Sequence, residues 1–176
     1  PKDMMGIMTQ IVGQKSAINF VTNALNCGRS HHAWIFQGPV GVGKCTAATE
    51  FARYLISGTK PGDCFGVANN VFSHNDLHVI RKEDVVWSKN SSIARRKQTN
   101  IPVDLLRERM IGGRTSDDRC HDAAAFKTSV CGGSKVFIID EAELLDETAQ
   151  NALLKTLEEP PVGTFVILVT SRDDLL

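Results

Sequence analysis

The sequence predicts an α/β protein built on a parallel sheet, and three observations carry that expectation. A glycine-rich stretch, Gly38-Pro39-Val40-Gly41-Val42-Gly43-Lys44-Cys45-Thr46, lies between the apolar run Ala33-Trp34-Ile35-Phe36 and a segment of helical periodicity from Lys44 to Ser57. Four apolar residues, Val136-Phe137-Ile138-Ile139, run straight into Asp140-Glu141, as a strand buried on both faces does when its tip emerges beside a ligand. Four short apolar or β-branched runs alternate with helical periods, and polar residues collect at their C-terminal ends, which describes strands sharing one ligand edge.

The elements follow in order. Ala17, Ile18, Val21, Ala24 and Leu25 share one face of a helix from Gln14 to Cys27, with Gly28 at its C-cap position. His31 and His32 precede the first strand as surface or capping residues. Ala47, Ala48, Phe51 and Leu55 give the second helix its inner face, and 58–62 breaks it. Leu77-His78-Val79-Ile80 is the second strand, entered from the turn-prone Ser73-His74-Asn75-Asp76. Pro102 opens a helix over Ile101 to Ile111 that Gly112-Gly113 stops, while Arg114 to Ser134 reads as loop with a short helix around Ala123 to Phe126. Asp146 caps a helix that turns Ala149, Ala152, Leu153, Thr156 and Leu157 inward and ends at Pro160-Pro161. Thr164 to Val169 is the last strand, leading to Thr170-Ser171 at an exposed tip.

Composition narrows the function. In 176 residues, 20 basic and 20 acidic side chains cancel, so no overall field draws the chain to nucleic acid and any DNA contact comes from a local patch. Arg95-Arg96-Lys97 is basic but reads as a solvated loop. Five cysteines, odd in number and without a CxxC pair, are expected as free thiols in a reducing cytosol. Pro1 to Met8 lacks a signal-peptide layout, and no apolar run approaches the ~20 residues of a bilayer span. The expectation is a cytoplasmic, monomeric protein that makes no membrane contact and is one domain over 1–176.

The chemistry sits in two places. Strand, glycine loop and helix in succession form a phosphate site, in which backbone N–H groups and a helix N-terminus face the anion and Lys44 reaches it as a point charge. Such loops place Ser or Thr after the lysine to ligate Mg²⁺, whereas this chain has Cys45, and a soft thiol suits that hard cation poorly. Thr46 is turned about 100° further round the helix and cannot simply replace it. Asp140 is placed to hold Mg²⁺ and Glu141 to polarise water. The Thr170 hydroxyl lies on the same edge. Ile11-Val12-Gly13-Gln14 is an apolar turn that can pack on adenine, or simply the entry to a helix. Cys64, Cys120, His121 and Cys131 match no zinc spacing, so no zinc is expected.

On these residues the chain resembles the first domain of bacterial clamp-loader ATPases, AAA+ proteins of the DNA polymerase III holoenzyme. The most specific segment is Gln150-Asn151-Ala152-Leu153-Leu154-Lys155-Thr156-Leu157-Glu158-Glu159-Pro160-Pro161; Ile11-Val12-Gly13-Gln14, His32-Ala33 and Asp140-Glu141-Ala142-Glu143 follow the same pattern in order. The resemblance implies a P-loop AAA+ domain with a parallel sheet of about five strands. It implies adenine against Val12 and Gly13, Walker A at Gly38 to Thr46, Walker B at Asp140 and Glu141, sensor 1 at Thr170, and DNA contacts from Arg107 and Lys155. Gly38-Pro39 with a non-hydroxyl residue after the lysine is similar to the δ′ subunit within that family.

The implied ligands are ATP or ADP, bound weakly, with Mg²⁺. The implied partners are other loader subunits, the sliding clamp and primed DNA. Lys44 and Asp140 stand 96 positions apart, longer than the pattern requires, so insertions are expected within 83–134. The lid and collar of the family would follow Leu176. Two functions are compatible with this reading: a δ′-type subunit with a weakened site, or an active γ/τ-like motor or other AAA+ DNA remodeller. A small-molecule P-loop kinase fits less well, since no acceptor-binding segment is legible.

Overall fold

The computed structural model describes residues 14–26, 31–57, 74–95, 99–130 and 133–172. Among them, β5 (Lys135–Ile139) and β6 (Thr164–Thr170) form the centre of a parallel sheet, with β1 (Ala33–Gln37) outside β6 and β2 (Leu77–Ile80) outside β5. The parallel expectation holds, with four strands in this sheet among the described residues. Every residue of β5 is buried, which explains why it reads as an unbroken apolar run: a central parallel strand is covered on both faces. Side chains alternate across it. Val136 and Ile138, with Ile167 and Val169, pack on Ala48, Phe51, Ala52, Leu55 and Ile56 of α2 (Lys44–Ser57). Phe137 and Ile139, with Val166 and Leu168, face the opposite layer, and His78 of β2 stacks on Phe137 with ring centroids 4.7 Å apart.

That opposite layer holds α4 (Val103–Leu106) and α5 (Glu147–Glu158), reached after the short α3 (Ser91–Ala94). Asp146 caps α5 as its sequence position requires, accepting from the Ala149 amide at 2.7 Å. His32 is a capping residue too, its Nε2 donating to the Leu157 carbonyl at 2.8 Å near the end of that helix. On the α2 side lies α1 (Lys15–Asn26), which buries Val21 and leaves Phe20 70% exposed. Gly28, Cys27 and 58–62, expected to end α1 and α2, fall outside the described residues.

The described residues of 83–134 hold elements besides the expected helices. A 3₁₀ turn spans Lys82–Trp87, and Gly113–Arg114 (β3) pairs antiparallel with Cys120–His121 (β4) where loop was expected. The buried Asp104 of α4 links the N-cap of α3 to the loop between β3 and β4: it accepts from Asn90 Nδ2 at 3.1 Å and from the Ser116 amide at 3.2 Å. A buried carboxylate is stable there because its charge is met by donors and by Arg107 at 3.7 Å.

The helix expected over Ile101 to Ile111 is shorter at both ends. Ile101 bonds across to Leu144 and Asp146 as an isolated bridge, and Pro102 becomes the N-cap. After Leu106 the backbone widens into a π-turn, Arg107–Ile111, closed by Gly112. The short helix expected around Ala123 to Phe126 is present as a 3₁₀ turn over Ala124–Phe126.

Gly112 has φ +70°, and a Cβ there would lie 2.5 Å from the Ala123 nitrogen. Gly112→Ala is therefore expected to destabilise the protein by ~2–4 kcal/mol, combining a left-handed backbone with an unavoidable clash. Urea denaturation measures it; a loss under about 0.5 kcal/mol would contradict the geometry.

Candidate functional site

The glycine loop leaves β1 and is tied to the neighbouring strand by a bond from the Gly38 amide to the Thr170 carbonyl, 3.3 Å. Gly41 and Gly43 have φ of +85° and +88°, and a Cβ at either would meet nothing within 4 Å. Glycine is needed there for backbone freedom, and the space beside it stays open. The Lys44 ammonium lies inside the loop, donating to the carbonyls of Gly38 at 2.7 Å and Pro39 at 2.8 Å. Val40 is 86% exposed at the loop's outer turn. Gly43 and Lys44 separate two cavities. One, of about 330 Å³ and termed the polar cavity for its side chains, is lined by Cys45, Thr46, Asp140, Glu141, Glu143 and Ser171 among others. The other, of about 360 Å³, is lined by Gln14, Phe20, Val21, Trp34 and Val42 and also reaches Gly43 and Lys44. Val12 and Gly13, which precede Gln14 in the chain, lie outside the described residues.

The acid pair does not stand alone. β2 and β5 run parallel with Ile80 opposite Ile139, so the residues leaving the two strands meet in order. Arg81 Nε lies 3.3 Å from Asp140 Oδ2, and its Nη2 lies 3.5 Å from the Cys45 sulfur. Lys82 Nζ lies 2.8 Å from Glu141 Oε2. Neither base was legible as a site residue, since Ile80-Arg81-Lys82 names no partner until β2 is known to lie beside β5. The signal was two bases directly after a strand, matching two acids directly after another.

The Arg81 side chain is 50% exposed, so its ion pair is worth at most about 1 kcal/mol to the fold. Its consequence is local. Burial raises the Cys45 thiol above its ordinary range; the Arg81 hydrogen bond opposes this and the Asp140 charge reinforces it, leaving a protonated thiol at neutral pH. Hydrogen bonding to the thiol, more than compensating its own burial, raises Arg81, and the Glu141 hydrogen bond raises Lys82, so both bases stay charged.

Mg²⁺ in such loops takes its protein oxygens from the hydroxyl after the lysine and from the strand-end aspartate. Here the first is a thiol and the second carries a guanidinium. This donor set does not fit a hard, octahedral cation. Among the described residues no three metal-ligating side chains converge; Cys64 and Cys131 lie outside them.

Thr170 is not at an exposed tip. It is fully buried, because β6 continues one residue further than expected and pairs Thr170 with Gln37. Its hydroxyl donates to the Arg172 carbonyl at 2.6 Å. The cavity-lining position passes to the half-buried Ser171, whose hydroxyl donates to Glu143 Oε1 and whose amide reaches the same oxygen at 3.2 Å. Burial would raise the Glu143 carboxyl, but these bonds outweigh it and hold it below the usual carboxylate range. Glu143 Oε2 is buried without a partner among the described residues and belongs to a side chain lining the polar cavity. Glu141 sits at φ +56°, an uncommon backbone for a non-glycine residue.

Arg107 is committed to the fold: Nη1 donates to the Arg114 carbonyl at 3.0 Å. Lys155 is exposed on the last turn of α5. Neither lines the two cavities.

The fold and this edge define a P-loop α/β protein, with glycine loop and acid pair side by side at the strands' C-terminal ends. The chain belongs to the family described as DNA polymerase III, delta subunit, which it matches over residues 13–176. It is 30% identical over 166 residues to DNA polymerase III subunit gamma of Buchnera aphidicola subsp. Acyrthosiphon pisum, covering 93% of this chain and 40% of that protein. It is 31% identical over 163 residues to subunit tau of Escherichia coli K12, covering 92% of this chain and 22% of that one. A DNA polymerase III gamma subunit-related protein from Thermotoga maritima, solved by crystallography, is similar at a TM-score of 0.47 and 18% identity over 88% of this chain and 40% of that chain. The chain thus spans less than half the length of these relatives.

The thiol gives a direct check. Alkylation of Cys45 by iodoacetamide, followed by peptide mass spectrometry across pH, should show a half-point above the ordinary 9.0. Asp140→Asn should lower that half-point, since the lost carboxylate disfavours thiolate. A wild-type half-point of about 7.5 or less, as in activated thiols, would contradict the arrangement.

Proposed function

We propose that this chain is the nucleotide-site domain of a δ′-type subunit of the DNA polymerase III clamp loader, a cytoplasmic protein that helps load the sliding clamp on primed DNA. Residues 1–176 are read as one AAA+ domain. The observation that carries the reading is Cys45, a thiol in the hydroxyl position of the loop, held against Arg81. In this account the amides of Gly38 to Thr46 and the N-terminus of α2 receive the phosphates, Lys44 supplies the mobile charge, and Val12 and Gly13 meet the base. Asp140 and Glu141 are the Walker B acids, weakened for catalysis by their ion pairs. Thr170 is a positioning residue: its carbonyl holds Gly38 and its hydroxyl shapes the turn to Ser171. The subunit then works as a scaffold, presenting a surface to a neighbouring ATPase in the loader.

A second reading, an active γ/τ-like motor or another AAA+ DNA remodeller, is favoured by the names of the relatives at about 30% identity. Turnover separates the two. The δ′-type reading expects the full-length protein alone to hydrolyse ATP at background and Cys45→Ser to leave it near background, because Arg81 and Lys82 still hold the acids. Brisk Mg²⁺-dependent hydrolysis by the wild type would favour the motor.

DNA contact is proposed for Lys155 and, with less freedom, Arg107. Lys155→Ala should lower the slope of log K against log salt by ~0.9, the share of one phosphate on duplex DNA. Arg107→Ala should act mainly on stability, through Asp104 and Arg114. Unchanged slope in Lys155→Ala would remove that residue from the interface.

A further inference from the structure

We propose that Arg81 takes the place of the metal ion at this site, so that the loop binds a nucleoside di- or triphosphate as the bare, metal-free anion. The inference rests on the clamp-loader reading only in requiring that the loop receive a nucleotide. A divalent cation in a P-loop bridges the residue after the lysine and the strand-end aspartate. In this protein one guanidinium already contacts both positions, the Cys45 sulfur at 3.5 Å and Asp140 Oδ2 at 3.3 Å.

Charge counting points the same way. Three carboxylates, Asp140, Glu141 and Glu143, and one lysine, Lys44, line the polar cavity, which leaves an excess of two negative charges facing an anion. Mg²⁺ would cancel that excess. Here Arg81 on Asp140 and Lys82 on Glu141 cancel it with side chains.

The guanidinium is suited to the exchange. It is permanently charged, weakly hydrated and forked, matching phosphate oxygens, and it makes no demand for an octahedral oxygen shell. Arg81 Nη1 has no acceptor among the described residues, and the side chain is half exposed. Donors therefore remain for a phosphate oxygen after the bonds to Asp140 and Cys45 are made.

The test is calorimetric titration of ADP into the full-length protein, in Mg²⁺ and in EDTA. The wild type should bind with a Kd that changes less than about threefold between the two buffers. Arg81→Ala should weaken binding in EDTA by about tenfold or more, the share of one charge-assisted contact. The double variant Cys45→Ser, Arg81→Ala should recover affinity in Mg²⁺ but not in EDTA. A wild-type Kd that tightens tenfold or more with Mg²⁺ would overturn the inference, while the scaffold reading would still be decided by turnover. Absence of ADP binding in both buffers would also overturn it and leave the scaffold reading standing.

Discussion

The arrangement depends most on the parallel register between β2 and β5. Ile80 opposite Ile139 fixes which residues leave the sheet together, and so brings two bases against two acids that lie 59 positions away in the chain. A shift of one residue would turn every side chain of β2 to the other face. Buried Ile80 and Ile139 hold the register within one hydrophobic layer, so the core determines the electrostatics of the edge.

The same sheet builds the glycine loop. Covering β5 and β6 on both faces leaves only their ends available to a ligand, and β1 delivers Gly38 beside Thr170, where a backbone bond anchors the loop to the sheet centre. Behind it, Phe51 and its neighbours fix α2 against Val136 and Ile138, which keeps the helix N-terminus under the loop. On the other face, the buried Asp104 of α4 joins the N-cap of α3 and the loop between β3 and β4. Its satisfied donors explain how so irregular a segment can pack beside the core.

Much of this was legible because its causes are local. The glycine spacing, the Asp146 cap and the unbroken apolar run of β5 each lie within a few residues, and the helices and strands they predict stand where the pattern puts them. What was not legible depends on distant parts of the chain meeting. Arg81 and Lys82 acquire meaning only from the strand order, and Glu143 only from the turn of Ser171. Thr170 was misplaced because β6 runs one residue longer than its apolar pattern, a difference that converts an exposed hydroxyl into a buried one. The ribbon of β3 and β4 has two residues per strand, too few for alternation to show.

At this site a side chain occupies the position of a divalent cation. Crystals of the full-length protein grown with ADP and Mn²⁺ test it most directly, since manganese scatters anomalously. No anomalous peak is expected between Cys45 and Asp140, with the Arg81 guanidinium in contact with both and with a phosphate oxygen. A manganese peak coordinated by Asp140, with Arg81 displaced, would contradict it.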